Sequence, residues 1–215
     1  NAIAKESLRY GADMDKINLI YSGVNLSKLK KFKKSYALQS PVQILSVGRY
    51  HWKKGYHYAL SALHSLLEKG LNVHYTIIAS DSPSEEVMYQ INDLSLDENI
   101  DLVIPQNQIE VYKKIKLSDC LILPSVEEGI ANVVLESMAI GIPVISSDCG
   151  GMKEVIRDKE NGYLFKSRNS THLGKVMEDV VNLNLEKRRS IISKAKKDIE
   201  KNHNFLKLGS KMKNL

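Results

Sequence analysis

Cysteine, tryptophan and long apolar runs are all scarce in this chain, and the shortages close off whole classes of protein. Two cysteines in 215 residues, Cys120 and Cys149, have neither the number nor the spacing for a disulfide framework or a zinc cage. A reducing compartment is the simpler setting. Every apolar stretch is interrupted by Glu136 or by Gly and Pro, well short of the ~20 residues that a bilayer-crossing helix needs. No segment is therefore expected to span a membrane, and none reads as a secretory leader, a repeat or a low-complexity linker. The basic runs carry no interleaved aromatics on which bases could stack, which argues against nucleic acid as a partner. No Asp-x-Asp pair lies in a loop placed to hold a cation, so neither a metal nor another cofactor is expected.

What is present is an ordinary globular balance, 43% hydrophobic and 26% charged, enough for one substantial core. Thirty-one Lys and Arg against 25 Asp and Glu leave a net charge of +6 and a pI near 9.1, an attraction to anions such as phosphates or an acidic membrane surface. The charge is concentrated in two places. Residues 28–34, KLKKFKK, hold five lysines, and residues 186–201 form a basic series on a helical pattern with Ile191, Ile192, Ala195 and Ile199 along one side. Such runs are usually solvated faces; attraction to a membrane surface or an acceptor is the second reading.

Strand and helix signals alternate along the chain. Apolar or β-branched runs predict strands at 16–21, 43–47, 73–79, 100–104, 120–123, 144–146 and 162–165. Helical patterns fill residues 1–10 and follow the loops at 48–55, 80–83 and 105, with others at 133–139, 171–183 and 186–201. Such alternation predicts a doubly wound α/β domain with a mainly parallel sheet. Ligands bind such sheets where loops leave the strands' carboxyl ends and helix N-termini point their free N–H groups. Residues 124–151, PSVEEGIANVVLESMAIGIPVISSDCGG, fit that description. Pro124 stops a strand, Gly129 allows a tight turn, and Asn132 is placed to cap the next helix. Glu128 lies in the loop, and Glu136, eight positions on, lies about 6 Å up the helix from Asn132 at 1.5 Å per residue. That offset suits one carboxylate for ribose hydroxyls and another for whatever the phosphates carry. In the loop after strand 43–47, GRYHWKKG, Arg49 supplies a planar fork for phosphate oxygens and Lys54 a point charge. His51 and Trp52 read as packed or solvated loop residues.

The spacing Glu128-x7-Glu136, set in PSxxEG and NVVLE and followed by SDCGGMKEVI, resembles the donor-binding half of retaining glycosyltransferases of the two-Rossmann GT-B architecture, family 4 or group 1 type. The resemblance covers nearly all of residues 17–200. It implies transfer of a sugar from a nucleoside diphosphate to an acceptor hydroxyl with retention, in bacterial surface polysaccharide or glycolipid synthesis. Arg49 and Lys54 match the family's phosphate clamp and, with Glu128, are the implied catalytic residues. Gly48, Gly129, Ile130, Ala131, Asn132, Val133 and Glu136 complete the implied donor contacts, and Ile104 and Pro105 mark the expected base contacts. By the same resemblance, residues 1–25 are the end of an acceptor domain with its linker, 26–200 the donor domain, and 201–215 a tail. The missing acceptor domain would lie upstream, leaving this chain inactive alone and the apolar side of the last helix partly uncovered. A glycan or lipid-linked acceptor is the implied partner, and the cytoplasm, with a peripheral attachment to the inner membrane face, the implied place. The chain departs from the pattern at Ser80, Ser82 and Pro105, where the family favours glycine; serines at positive φ would reshape that turn. An epimerase or phosphorylase of the same fold, or a non-catalytic nucleotide-sugar-binding module, are the alternatives.

Overall fold

Six short runs rich in Val, Ile and Leu become parallel strands because helices cover both of their faces. The computed structural model describes residues 7–13, 15, 21–32, 34 and 36–207. The strands are β1 (Val42–Val47), β2 (Val73–Ile78), β3 (Ile100–Val103), β4 (Cys120–Leu123), β5 (Val144–Ser147) and β6 (Tyr163–Phe165), ordered β3-β2-β1-β4-β5-β6, each pair parallel. All residues of β4 and β5 are buried, so hydrophobicity runs on instead of alternating. The expected strands from residue 43 onward agree with these to about one residue, boundaries at which assignment is itself arbitrary.

The helices are α1 (Leu26–Leu29), α2 (Tyr56–Glu68), α3 (Glu85–Asp93), α4 (Gln108–Leu117), α5 (Asn132–Ile140), α6 (Met152–Val155), α7 (Ser170–Val181) and α8 (Leu185–Asn202). Leu60, Leu63 and Leu66 of α2, Ile91 of α3 and Met177 of α7 pack one side of the sheet with Ile44 of β1. Its neighbour Leu45 points the other way, to Val111 and Ile115 of α4, Leu135 and Met138 of α5 and Ile199 of α8. Two cores on one sheet are what an i, i+1 alternation of large residues produces.

Two expectations need correction. The apolar side of the last helix is not left uncovered: Ile191, Ile192, Ala195 and Ile199 are at most 2% exposed, because α8 lies against α5 and closes the second core. The run at 28–34 is likewise not all solvated, since Leu29 and Phe32 enter the core and Lys34 reaches the buried carboxylate of Asp119 at 3.1 Å. Of the helix expected at 1–10, residues 7–9 are helical and 1–6 lie outside the described residues, as do 16–20 of the first expected strand. Val24 forms a parallel bridge with Asn204, so the described chain enters and leaves the domain side by side.

Candidate functional site

The strand order reverses between β1 and β4, and the loops that leave their carboxyl ends face each other there. The β1 loop turns at Gly55, whose φ is +62° and whose missing Cβ would fall 2.2 Å from the carbonyl oxygen of Pro124. Glycine alone permits that approach. Val126 N–H donates to the Lys53 carbonyl at 2.7 Å, tying the loops together. On the 3₁₀ turn Trp52–Lys54, Lys54 is thereby aimed across the crevice, and its Nζ lies 2.5 Å from Glu128 Oε2. Ser125 Oγ donates to the same oxygen at 3.4 Å. Arg49 is exposed and makes no ion pair among the described residues.

The Glu128 loop is shaped differently from expectation. Gly129 has no positive φ and open space within 4 Å of its missing Cβ; it is Gly150 that must be glycine, with φ +51° and a would-be Cβ 1.7 Å from the Glu128 carbonyl oxygen. The β5 loop thus presses on the Glu128 loop from behind. Ala131, not Asn132, is the N-cap of α5, and no side chain caps the helix; Asn132 is its first residue and is exposed. The Ala131 carbonyl accepts from Val134 at 3.0 Å and Leu135 at 3.4 Å, while the N–H groups of residues 129–133 have no acceptor among the described residues. Open donors at a helix start, beside a lysine, constitute an anion-binding arrangement.

Glu136 stands one turn into α5 with partners that the sequence does not announce. Its Oε1 accepts from Tyr112 Oη at 2.9 Å and Gln108 Nε2 at 3.4 Å, both from α4. Burial raises the Glu136 pKa against the opposing effect of the Tyr112 hydrogen bond, and burial together with Glu136 pushes Tyr112 up to about 12. Gly48 N–H donates to the Ile78 carbonyl at 2.9 Å and its own carbonyl accepts from Tyr56 Oη at 2.8 Å, so its carbonyl and N–H are both occupied by the fold. Ile104, 61% exposed, and Pro105 follow the β3 end, and two strands, β2 and β1, lie between β3 and β4 in the sheet. Ser80 and Ser82 are not at positive φ, so the turn there carries no such strain. Asp81 between them accepts from Tyr50 N–H with both oxygens at 3.1 Å and anchors the β1 loop.

Sequence reasoning passed over Tyr112, Gln108, Asp81 and Gly150. The first three act through contacts 24 to 31 residues apart, which no local pattern encodes. Gly150 could have been found, since a Gly-Gly pair after a buried strand is a turn signal. Among the described residues no three His, Cys, Asp or Glu are grouped to hold a metal, and no helix is long and apolar enough to cross a membrane.

The family described as Glycosyl transferases group 1 matches residues 27–198. The amylovoran biosynthesis glycosyltransferase AmsK of Erwinia amylovora is 33% identical over 160 residues, 72% of this chain and 39% of that protein. The putative colanic acid biosynthesis glycosyltransferase WcaL of Escherichia coli is 26% identical over 203 residues, 92% and 49% of the two. The chain thus spans about half or less of the length of these relatives. Among solved structures, Anabaena HepE in complex with UDP superposes with a TM-score of 0.85 at 18% identity, covering 98% of this chain and 60% of that one.

Proposed function

Because the chain belongs to the Glycosyl transferases group 1 family, we propose that it is the half of a retaining glycosyltransferase that holds the nucleoside diphosphate sugar. The observation that carries this reading is the Lys54–Glu128 pair set in front of the open N–H groups of residues 129–133 at the switch point of the sheet. The diphosphate would lie on those amides, with Arg49 and Lys54 countering its charge as the sugar carbon parts from the phosphate oxygen. Lys54 would move its ammonium from Glu128 toward the phosphate, leaving Glu128 to accept from the sugar hydroxyls. Glu136 would accept from the ribose, and Ile104 and Pro105 would flank the base. HepE, a structural neighbour, is described as bound to UDP, which makes uridine the first base to try. AmsK and WcaL take part in making amylovoran and, putatively, colanic acid, which points to a glycan or lipid-linked acceptor and to a cytoplasmic, membrane-adjacent place of work. No cofactor enters the scheme.

Transfer asks for more than donor binding. Holding the acceptor hydroxyl against the sugar carbon can lower a barrier by about 7–11 kcal/mol, and the matched relatives have about as much chain again in which to do it. The 215 residues alone are expected to bind donor and transfer nothing.

Calorimetric titration with UDP, GDP and ADP tests the reading. Arg49→Ala and Lys54→Ala should each weaken diphosphate binding by about 1.5–3 kcal/mol, the worth of hydrogen bonds to charged groups, and leave nucleoside binding unchanged. Equal losses for nucleoside and diphosphate would remove both residues from the phosphate site, and no binding of any diphosphate would end the donor-domain reading.

A further inference from the structure

A groove of about 450 Å3 opens beside the site, between the loop after β1 and the first turns of α2 and α3. Tyr50, His51, Trp52 and His57 face Glu86 and Gln90 across it. The donor scheme uses none of them. Trp52 is 58% exposed, although an indole is among the most rewarding side chains to bury. His51 stands beside it with ring centres 5.8 Å apart and planes inclined by 32°, so the two rings form a shallow shelf. Lys53 lies over the indole at 5.5 Å and is held by Glu127 at 2.6 Å.

The opposite side offers acceptors. Gln90 Nε2 donates to the His57 carbonyl and to Ser61 Oγ, each at 3.0 Å, which leaves its amide oxygen with no donor among the described residues. The exposed Glu86 carboxylate is steadied by its own N–H and by Ser84, which hold it below its ordinary pKa, and burial keeps His57 below its own, neutral at pH 7. An anionic ligand would meet Glu86 with no cation on that side. A flat apolar shelf facing amide and carboxylate acceptors instead matches a pyranose, whose C–H face covers the rings while its hydroxyls donate.

We propose that this groove binds a neutral hexopyranose unit of a glycan. Assigning that glycan to the acceptor rests on the donor-domain reading; the saccharide site itself does not. The same one-turn helix, Trp52–Lys54, carries the shelf and the clamp lysine, and His51 Nδ1 caps it by accepting from Lys53 N–H at 3.2 Å. A sugar resting on Trp52 therefore fixes the turn that aims Lys54, so occupancy of the groove and of the diphosphate site are coupled, each raising the other's affinity by one factor.

Trp52 is the sole tryptophan of the chain, so in the absence of nucleotide its emission reports the groove wall. The chain, free of nucleotide, is titrated with neutral gluco-, galacto-, manno- and rhamno-oligosaccharides. A saturable emission shift and protection from iodide quenching are expected with at least one of them. Glu86→Ala, a change at a fully exposed side chain, should weaken that response about tenfold with the circular dichroism unchanged. By ligand-observed NMR, Trp52→Ala should lose binding about tenfold, a difference of about 1.4 kcal/mol, while Trp52→Phe retains most of it. No response to any of the sugars overturns the proposal, as does a response indifferent to Glu86→Ala or a stronger one to uridine or adenosine. UDP calorimetry is read separately: sugar binding without UDP binding would keep the groove and remove the donor reading, and the reverse would do the opposite.

Discussion

Glu136 is asked to do something that the fold resists. Burial raises its pKa, so between the unfolded value and the folded one the native state binds more protons than the unfolded state. Stability from this group therefore falls as pH rises through that window and stays lost at neutral pH. Glu136→Gln keeps the acceptor for Tyr112 and removes the half-buried charge, so its thermal midpoint should rise, each 1 kcal/mol being about 2–4 °C at this size. The same variant should lose its preference for ribonucleotides over 2′-deoxyribonucleotides in calorimetry. A gain in stability with ribose discrimination intact would detach Glu136 from the ribose. Two neighbouring glycines separate folding from binding in a similar way. Gly150→Ala forces a Cβ toward the Glu128 carbonyl at positive φ and should cost about 1–3 kcal/mol or more. Gly129→Ala meets no atom and should change stability by less than about 0.5 kcal/mol, yet lower UDP affinity because its methyl group enters the space assigned to the diphosphate. Thermal melts and UDP titrations of both variants check this.

At the level of elements, the strands were legible because their evidence is local: CLIL and VIS are apolar without alternation, which only a strand covered on both faces explains. Arg49, Lys54, Glu128 and Glu136 became candidates through their places in strand-loop-helix frames taken together with the family resemblance, since spacing alone would not have singled them out. The structure brings Lys54 to Glu128 across 74 residues of chain and sets Glu136 one turn into the helix that follows Glu128. Legibility ended where a residue's state depends on what packs against it. Asn132 looks like a cap, but Ala131 takes that place and no side-chain hydrogen bond caps the helix. The last helix reads as partly uncovered because the resemblance assigns its partner to an upstream domain; the partner is α5, about 50 residues away in sequence. With Ile199 fully buried, Ile199→Ala should lower stability by about 2–5 kcal/mol in denaturant unfolding; a loss within surface range would mean that α8 is only loosely docked.

For the whole molecule, the donor reading predicts that ligand and fold are linked. At a UDP concentration of one hundred times Kd the chain should gain about 2.7 kcal/mol, or about 5–10 °C in thermal midpoint, with uridine giving far less. A midpoint that stays put under UDP saturation would show that the crevice is not a nucleotide site. The central place of β1 has another consequence, for the order in which the molecule comes into being. Lys54 and Glu128 are 74 residues apart, so a ribosome adding about 5–20 residues per second makes them about 4–15 s apart. Within that interval, once β3 (Ile100–Val103) is made and until β4 (Cys120–Leu123) follows, β1 has β2 and β3 on one side and a bare edge on the other, where β4 will later lie. The clamp half of the crevice thus waits, assembled but unopposed, for the half that answers it. A nascent chain released before residue 124 would carry an open central edge into solution, inviting another strand to pair where β4 belongs.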